Sequence, residues 1–255
     1  MSGHVTFIGA GPGEADLITV RGLRALQAAD VVLHDALIDP SLLDGLRGEL
    51  VNVGKRCGRH CMTQDEINAA LAEQALAGKR VARLKGGDPS VLARLGEEAM
   101  HLGERGVSFD VVPGVSSVTA AAGFAGIPLT HRGTADSFCV LTAHLKDDER
   151  AFSVPAWDPN RTLVLLMGLK TTPQWSAQML ELGYPDDTPV AFVASAATER
   201  QQVLIADVAS AALAVADSEL KPPAIAIVGG VVKLHEELNW FESTGESDQS
   251  AGSAA

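Results

Sequence analysis

The chain has 255 residues, of which 46% are hydrophobic, and its formal net charge is −12 at pH 7. This size and composition suit a globular protein of one large or two smaller domains, and the acidity argues against a nucleic-acid binder, which needs a basic surface. Three cysteines give no disulfide framework, and the absence of an apolar leader predicts a cytoplasmic protein with no secretory signal and no membrane span.

The first predicted unit is a buried strand at 5–8, a glycine loop at 9–13, and a helix at 16–29 with Leu17, Val20, Leu23 and Leu26 on its apolar face. This order is typical of a nucleotide-binding α/β unit, but the loop reads Gly-x-Gly-Pro-Gly rather than Gly-x-Gly-x-x-Gly. Proline lacks the backbone donor that a phosphate cradle uses, and no Walker lysine follows. The loop therefore favours a ligand without phosphate.

Charged residues follow the next predicted strands. Asp35 ends the strand at 31–33, and Lys55 follows the strand at 51–54. Thr63 and Glu66 then form a capping box that begins a helix predicted to run to Gly78. Because the carboxyl ends of parallel strands meet at one edge of a sheet, these charges are candidates for a ligand site.

The strand at 80–84 ends in Lys-Gly-Gly-Asp-Pro at 85–89, which we interpret as the floor of a cofactor site. Gly86 and Gly87 would let a ligand lie against bare backbone, and Asp88 offers a carboxylate. Taken alone, Gly-Gly-Asp-Pro at 86–89 fits a tight surface turn equally well. A helix at 96–104 and a strand at 109–112 follow, before Ser116 and Ser117 open an Ala-rich helix.

Five strands that alternate with helices predict an N-terminal α/β domain at 1–129 with a mostly parallel sheet. A second α/β domain is predicted at 130–241. Its strands are predicted at 138–142, 162–167, 190–194, 201–205 and 224–228, and the third and fourth form a hairpin. A hairpin beside helical connections predicts a mixed sheet. The polar residues 242–255 predict a disordered tail.

Six segments occur in the order and near the spacing of one known family: residues 7–13, 29–35, 53–56, 85–89, 112–117 and 126–132. They include Gly-Ala-Gly-Pro-Gly, Gly-Lys-Arg, Lys-Gly-Gly-Asp-Pro and Leu-Thr-His-Arg. From about Val5 to Leu238 the chain resembles the tetrapyrrole methylases, and within them the uroporphyrinogen-III C-methyltransferases. After Gly-Gly-Asp-Pro the family usually has Phe-Ile-Phe-Gly-Arg-Gly-Gly, whereas this chain has Ser-Val-Leu-Ala-Arg-Leu-Gly.

The resemblance implies a homodimeric enzyme that uses S-adenosyl-L-methionine and releases S-adenosyl-L-homocysteine. It would methylate uroporphyrinogen III at C2 and C7 to give precorrin-2, which leads to sirohaem or cobalamin. Asp35 would be the proton acceptor and Lys55 the proton donor. The implied cofactor contacts are Pro12, Gly86, Gly87, Asp88, Val91, Ser116, Ser117, Met167, Ala196 and Ala224.

A tetrapyrrole that carries carboxylates needs a basic patch on an acidic protein. The candidate substrate residues are Arg56, Arg59, Arg94, His131 and Arg132. Each of them taken alone is equally well explained as a solvated surface charge.

Cys57, His60 and Cys61 suggest a metal site, but no second half with ligand spacing follows, so we expect loop residues and no metal. Trp157, Trp175 and Trp240 are expected to pack.

Two alternatives stay open. One is another precorrin C-methyltransferase of corrin-ring synthesis, and the other is a non-catalytic metabolite-binding α/β protein. Because the methylase accounts for the 255 residues, we expect no fused dehydrogenase or chelatase module.

Overall fold

The computed structural model describes residues 3–54, 62–143 and 153–241. Residue contacts divide the chain into two units, 1–117 and 118–255, and each unit is built on a five-stranded sheet. The predicted tail at 242–255 lies outside the described residues.

The first unit is an α/β unit whose sheet is parallel throughout, in the order β3-β2-β4-β1-β5. This confirms the predicted parallel sheet. Its strands are β1 (His4–Gly9), β2 (Val31–His34), β3 (Glu49–Asn52), β4 (Arg80–Lys85) and β5 (Ser108–Val112). Its helices are α1 (Val20–Ala28), α2 (Gln64–Leu76) and α3 (Leu95–Glu104), and α4 (Ser117–Phe124) begins at its last residue.

Helices cover both faces of this sheet, as parallel sheets require. Because side chains alternate along a strand, Phe7 of β1 packs with Leu71 of α2 and Leu102 of α3, whereas the next residue, Ile8, packs with Leu26 of α1. The loops that follow the strands therefore lie at the carboxyl edge of the sheet rather than on either face.

The capping box is present as predicted: the Thr63 hydroxyl accepts from the Glu66 N–H, and the Glu66 carboxylate accepts from the Thr63 N–H. Gly78 then ends α2 with a left-handed φ of 87°. These local signals fix where α2 begins and ends.

The predicted long first helix is wrong in its start and its apolar face. A short 3₁₀ helix at Ala15–Leu17 is followed by extended residues, and α1 begins only at Val20, because the Thr19 hydroxyl caps it by accepting from the Gly22 N–H. Val20 is 66% exposed, and the helix faces the sheet through Gly22 and Leu26.

The second unit has a mixed sheet in the order β6-β7-β10-β8-β9, in which only β6 and β7 are parallel. Its strands are β6 (Ser137–Thr142), β7 (Arg161–Leu166), β8 (Pro189–Ala194), β9 (Gln202–Asp207) and β10 (Ala224–Val228), and its further helices are α5 (Thr172–Glu181), α6 (Ala211–Asp217) and α7 (His235–Leu238). The predicted mixed sheet and its β8–β9 hairpin are confirmed.

The Asp30 carboxylate is expected to stabilise the fold at neutral pH and to lose this effect in strong acid. Its carboxylate accepts two hydrogen bonds from the Arg80 guanidinium and one from the Arg80 N–H, and these lower the pKa of Asp30 from 3.8 to about 2. A lowered folded-state pKa gives stability that is complete above pH 3.8 and is lost as the pH falls through about 2. Asp30→Asn should lower the urea midpoint at pH 7 and progressively less as the pH falls from 4 to 2; a deficit that does not change with pH would contradict this.

Candidate functional site

Three loops that leave the parallel sheet meet through glycines. A Cβ atom built on Gly9, at the end of β1, would lie 2.5 Å from the Gly114 Cα and 2.7 Å from the Gly87 carbonyl oxygen. A Cβ on Gly114 would lie 2.4 Å from that same oxygen. We call Gly9, Gly87 and Gly114 the glycine corner; only glycine permits backbones to approach this closely.

Hydrogen bonds join the β1 and β4 loops of the glycine corner. The Gly87 N–H donates to the Gly11 carbonyl (2.7 Å), and the Gly11 N–H donates to the Gly87 carbonyl (3.3 Å). Both residues have left-handed φ values, 85° at Gly11 and 66° at Gly87, which glycine adopts without strain. Pro12 follows directly, so the bridge holds it beside the Gly-Gly-Asp turn.

Asp88 joins the β4 and β5 loops. One carboxylate oxygen accepts from the Gly114 N–H (2.9 Å), and the other accepts from the Ser90 N–H (2.8 Å) and hydroxyl. Partial burial opposes ionisation, but the three hydrogen bonds outweigh it and lower the pKa of Asp88. The carboxylate therefore holds the glycine corner together, a role that sequence reasoning missed.

The other predicted cofactor residues of the first unit lie in the same loops. Gly86 precedes the corner, and within the described part of the chain a Cβ there would have only the Leu37 carbonyl oxygen within 4 Å, at 3.8 Å. The Val91 N–H donates to the Asp88 carbonyl (3.2 Å). Ser116 precedes α4, and the Ser117 N–H lies 3.5 Å from where a Gly87 Cβ would be. The structure thus brings these positions together.

The second unit brings its three predicted residues to one edge of its own sheet. Met167 follows β7, Ala196 follows β8 and Ala224 begins β10. The antiparallel register pairs Ala224 with Ala194 and Ile225 with Leu166, so all three lie at the same ends of neighbouring strands.

Met167 lies in a turn that buried side chains fix. Its φ is 59° and half of its surface is exposed. The next carbonyl, of Gly168, accepts from the Trp175 indole N–H (2.9 Å) and from the Thr172 hydroxyl (3.1 Å). Trp175 packs in the core as predicted, but its indole nitrogen also anchors this turn.

Asp35 follows β2, and its carboxylate lies against a buried guanidinium. The Arg83 Nη2 atom is 2.6 Å from the Asp35 Oδ1 atom, and the side chains are 3% and 33% exposed, respectively. The Asp35 N–H donates to the Leu84 carbonyl (3.1 Å), so its place follows from the pairing of β2 with β4. Lys55, the predicted proton donor, lies outside the described residues.

Glu98, in the first turn of α3, is fully buried and binds both basic side chains that β4 turns towards α2 and α3. It accepts from Arg83 Nε (3.2 Å) and Nη2 (3.3 Å), and from Lys85 Nζ (2.8 Å). Burial lowers the pKa of Lys85 and the Arg83 charge lowers it further, while Glu98 and Asp35 oppose the shift. We call Asp35, Arg83, Lys85 and Glu98 the charge cluster.

The predicted substrate residues that the structure describes belong to both units. Arg94 precedes α3 with a φ of 59°, and its hydrogen bond to Glu97 (2.8 Å) raises the pKa of its guanidinium. His131 and Arg132 line an open depression of about 480 Å³ in the second unit. Arg56 and Arg59 lie outside the described residues, as do Cys57, His60 and Cys61.

The described ranges 3–54, 62–143 and 153–241 contain no group of three His, Cys, Asp or Glu side chains that suits a metal ion. Within the same ranges, no helix has the length and apolar character needed to cross a membrane.

Similarity to known proteins covers both sheets. The model of the tetrapyrrole (corrin/porphyrin) methylases matches residues 4–212. Siroheme synthase of Pseudoalteromonas atlantica is 47% identical over 242 residues, which make up 94% of this chain but 52% of that protein. The chain thus spans about half the length of the curated relatives it matches.

Solved structures match over nearly their whole length. Uroporphyrin-III C-methyltransferase from Thermus thermophilus is 40% identical with a TM-score of 0.80, over 95% of this chain and 99% of that one. The same enzyme complexed with S-adenyl homocysteine is 38% identical with a TM-score of 0.77, over 91% and 94%. Because the family model matches most of this chain and the relatives are this similar, the chain belongs to the tetrapyrrole methylase family.

Proposed function

We propose that this chain transfers methyl groups from S-adenosyl-L-methionine to C2 and C7 of uroporphyrinogen III, giving precorrin-2 for sirohaem or cobalamin synthesis. The observation that carries the proposal is the glycine corner, where three loops at the carboxyl edge of the parallel sheet meet, in a chain whose structural relatives include a uroporphyrin-III C-methyltransferase complexed with S-adenyl homocysteine. We also propose that it works as a homodimer, which sedimentation velocity tests.

The glycine corner fits a sulfonium cofactor better than a nucleotide phosphate. A phosphate cradle needs several backbone N–H groups pointing at the ligand. Here Pro12 has none, the Gly11 and Gly87 N–H groups bond each other's carbonyls, and the Gly114 N–H bonds Asp88. The proposed contacts in the first unit are Pro12, Gly86, Gly87, Asp88, Val91, Ser116 and Ser117, and those in the second unit are Met167, Ala196 and Ala224.

For the substrate we propose that basic side chains bind the carboxylates of the tetrapyrrole. Guanidinium groups hold carboxylates with two parallel hydrogen bonds, which fixes orientation as well as charge. Among the described residues Arg94, His131 and Arg132 are proposed to do this, and Arg56 and Arg59 are proposed from the sequence alone.

The protein's part in the reaction is alignment and proton transfer. When bound, S-adenosyl-L-methionine supplies a methyl group whose carbon–sulfur bond breaks as a ring carbon takes the methyl, leaving the electron pair on sulfur. Holding the two reactants in line lowers the barrier without covalent catalysis. The methylated ring must then lose a proton, and we propose that Asp35 accepts it. Lys55 is proposed as the proton donor of the reaction.

Incubation with methyl-labelled S-adenosyl-L-methionine and uroporphyrinogen III tests the function. Label in the tetrapyrrole and a red-fluorescent product after oxidation are expected. Transfer to a precorrin but not to uroporphyrinogen III would favour a later corrin-ring methyltransferase, and cofactor binding without transfer to either would favour a metabolite-binding protein.

Asp88→Ala should weaken cofactor binding, because it releases the β5 loop from the β4 loop. Losing a hydrogen bond to a charged group costs about 1.5–3 kcal/mol, so S-adenosyl-L-homocysteine should bind roughly tenfold or more weakly in calorimetry. Asp110→Ala is the matched control, since Asp110 lies on β5 at the surface beside His4. Equal affinity in the Asp88 variant and wild type would remove Asp88 from the site.

Arg132→Ala should raise the Michaelis constant for the tetrapyrrole about tenfold, with little change for S-adenosyl-L-methionine, because it removes a carboxylate contact. Arg105→Ala, which removes an exposed arginine after α3, serves as control. Equal effects of the two changes on steady-state kinetics would mean that Arg132 contributes only general charge.

A further inference from the structure

The contacts of the charge cluster indicate a role for Arg83 that neither the fold nor the resemblance assigns. We propose that Arg83 is a positioning residue: anchored by Glu98, it holds the Asp35 carboxylate where it accepts a proton from the methylated ring. This inference rests on the proposed function, since it specifies how Asp35 is placed for that reaction.

The Arg83 guanidinium is fixed from behind. Nε and Nη2 bond the two Glu98 oxygens, and Nη1 donates to the Leu84 carbonyl (3.3 Å). Glu98 is itself held by Lys85 Nζ and by the Gln64 side-chain amide (3.1 Å). Towards the strand ends, the guanidinium makes a short contact from Nη2 to Asp35 Oδ1 at 2.6 Å.

Burial makes this arrangement stiff. Arg83, Lys85 and Glu98 are each at most 3% exposed, whereas Asp35 is 33% exposed. Charged groups in a dry environment hold their partners strongly because water does not compete. The cluster is therefore rigid at its buried end, and the carboxylate it holds still reaches the surface at the edge of the sheet.

Stability alone explains the cluster poorly. Burying ion pairs costs desolvation, and apolar residues of similar volume commonly stabilise a core as well or better. The same face of β4 carries apolar Val81 in the core two residues earlier, so the strand accepts apolar residues there. An arginine adds what an apolar residue lacks, a planar fork that binds Glu98 and Asp35 at fixed angles.

A double-mutant cycle with labelled methyl transfer tests the proposal. Arg83→Lys keeps the charge but loses the planar fork of the guanidinium. We expect kcat to fall about 10- to 100-fold, which is the cost of a roughly 1 Å misplacement of the carboxylate. The Michaelis constant for S-adenosyl-L-methionine should change less than about twofold. In an Asp35→Asn background, Arg83→Lys should lower kcat by less than a further factor of about two, because Arg83 acts through Asp35. Equal losses in both backgrounds would overturn the proposal.

The matched control is Arg80→Lys, which breaks another Arg–Asp pair on the same strand, Arg80 with Asp30, and should leave kcat unchanged. If Arg83→Lys does not fold, Asp35→Glu gives a second test, since it keeps a carboxylate but moves it off Arg83. A kcat loss of at least about tenfold with an unchanged melting temperature supports positioning, and an unchanged kcat overturns it.

The outcomes separate the two proposals. Wild type that binds S-adenosyl-L-homocysteine but transfers no methyl to uroporphyrinogen III overturns the proposed function and this inference with it. Active wild type with an additive cycle overturns only the role of Arg83.

Discussion

Gly9→Ala is expected to destabilise the protein by about 3 kcal/mol or more and to abolish binding of S-adenosyl-L-homocysteine. The added Cβ would lie 2.5 Å from both the Gly114 nitrogen and Cα, and these are backbone atoms that cannot rotate away. The β1 and β5 loops must therefore separate, and overpacking that shifts backbone falls at the costly end of core substitutions. Urea denaturation measures the loss of stability and calorimetry the loss of binding.

Gly103→Ala is the matched control. Gly103 lies within α3, and a Cβ there meets no atom of the residues that the structure describes within 4 Å. Alanine in a helix interior is favoured over glycine by about 0.5–1 kcal/mol, so this variant should be more stable and should bind normally. Similar effects of the two changes would refute close packing of the glycine corner.

Glu98→Ala should cost about 3–5 kcal/mol of unfolding free energy, because it leaves Arg83 and Lys85 buried without their shared carboxylate. The other carboxylate of the cluster, Asp35, contacts Arg83 but makes no hydrogen bond to Lys85 among the described residues. Chemical denaturation at pH 7 gives the difference.

The neighbouring change Glu97→Ala separates burial from charge. Glu97 carries the same carboxylate one residue earlier, but it is more than half exposed and pairs with Arg94 at the surface. Exposed pairs contribute about 0–1 kcal/mol, so this variant should lose at most that much. A loss below about 1 kcal/mol for Glu98→Ala would mean that the charge cluster is not tightly held.

Much of the site's location follows from the sequence. Once the predicted strands at 5–8, 80–84 and 109–112 are taken as parallel, the loops that follow them must meet at one edge, and the structure places them there. The capping box of α2 and the hairpin of β8 and β9 are equally local signals. What the sequence does not give is the pairwise contact, such as the hydrogen bond from the Gly114 N–H to Asp88.

The charge cluster shows why the rest could not be predicted. Arg83 and Lys85 lie on one face of a short strand and are buried because α3 brings Glu98 onto them. Nothing local to β4 identifies a partner fifteen residues away. The start of α1 was missed for the opposite reason, since a local cap at Thr19 outweighed the apolar periodicity that ran through it.

Calorimetric titration of the wild-type protein with S-adenosyl-L-homocysteine, and separately with NAD⁺, shows whether the glycine corner builds a site for a cofactor without phosphate. We predict saturable binding of S-adenosyl-L-homocysteine and no binding of NAD⁺ at the same concentrations. Binding of NAD⁺ with no binding of S-adenosyl-L-homocysteine would show that the glycine corner does not form such a site.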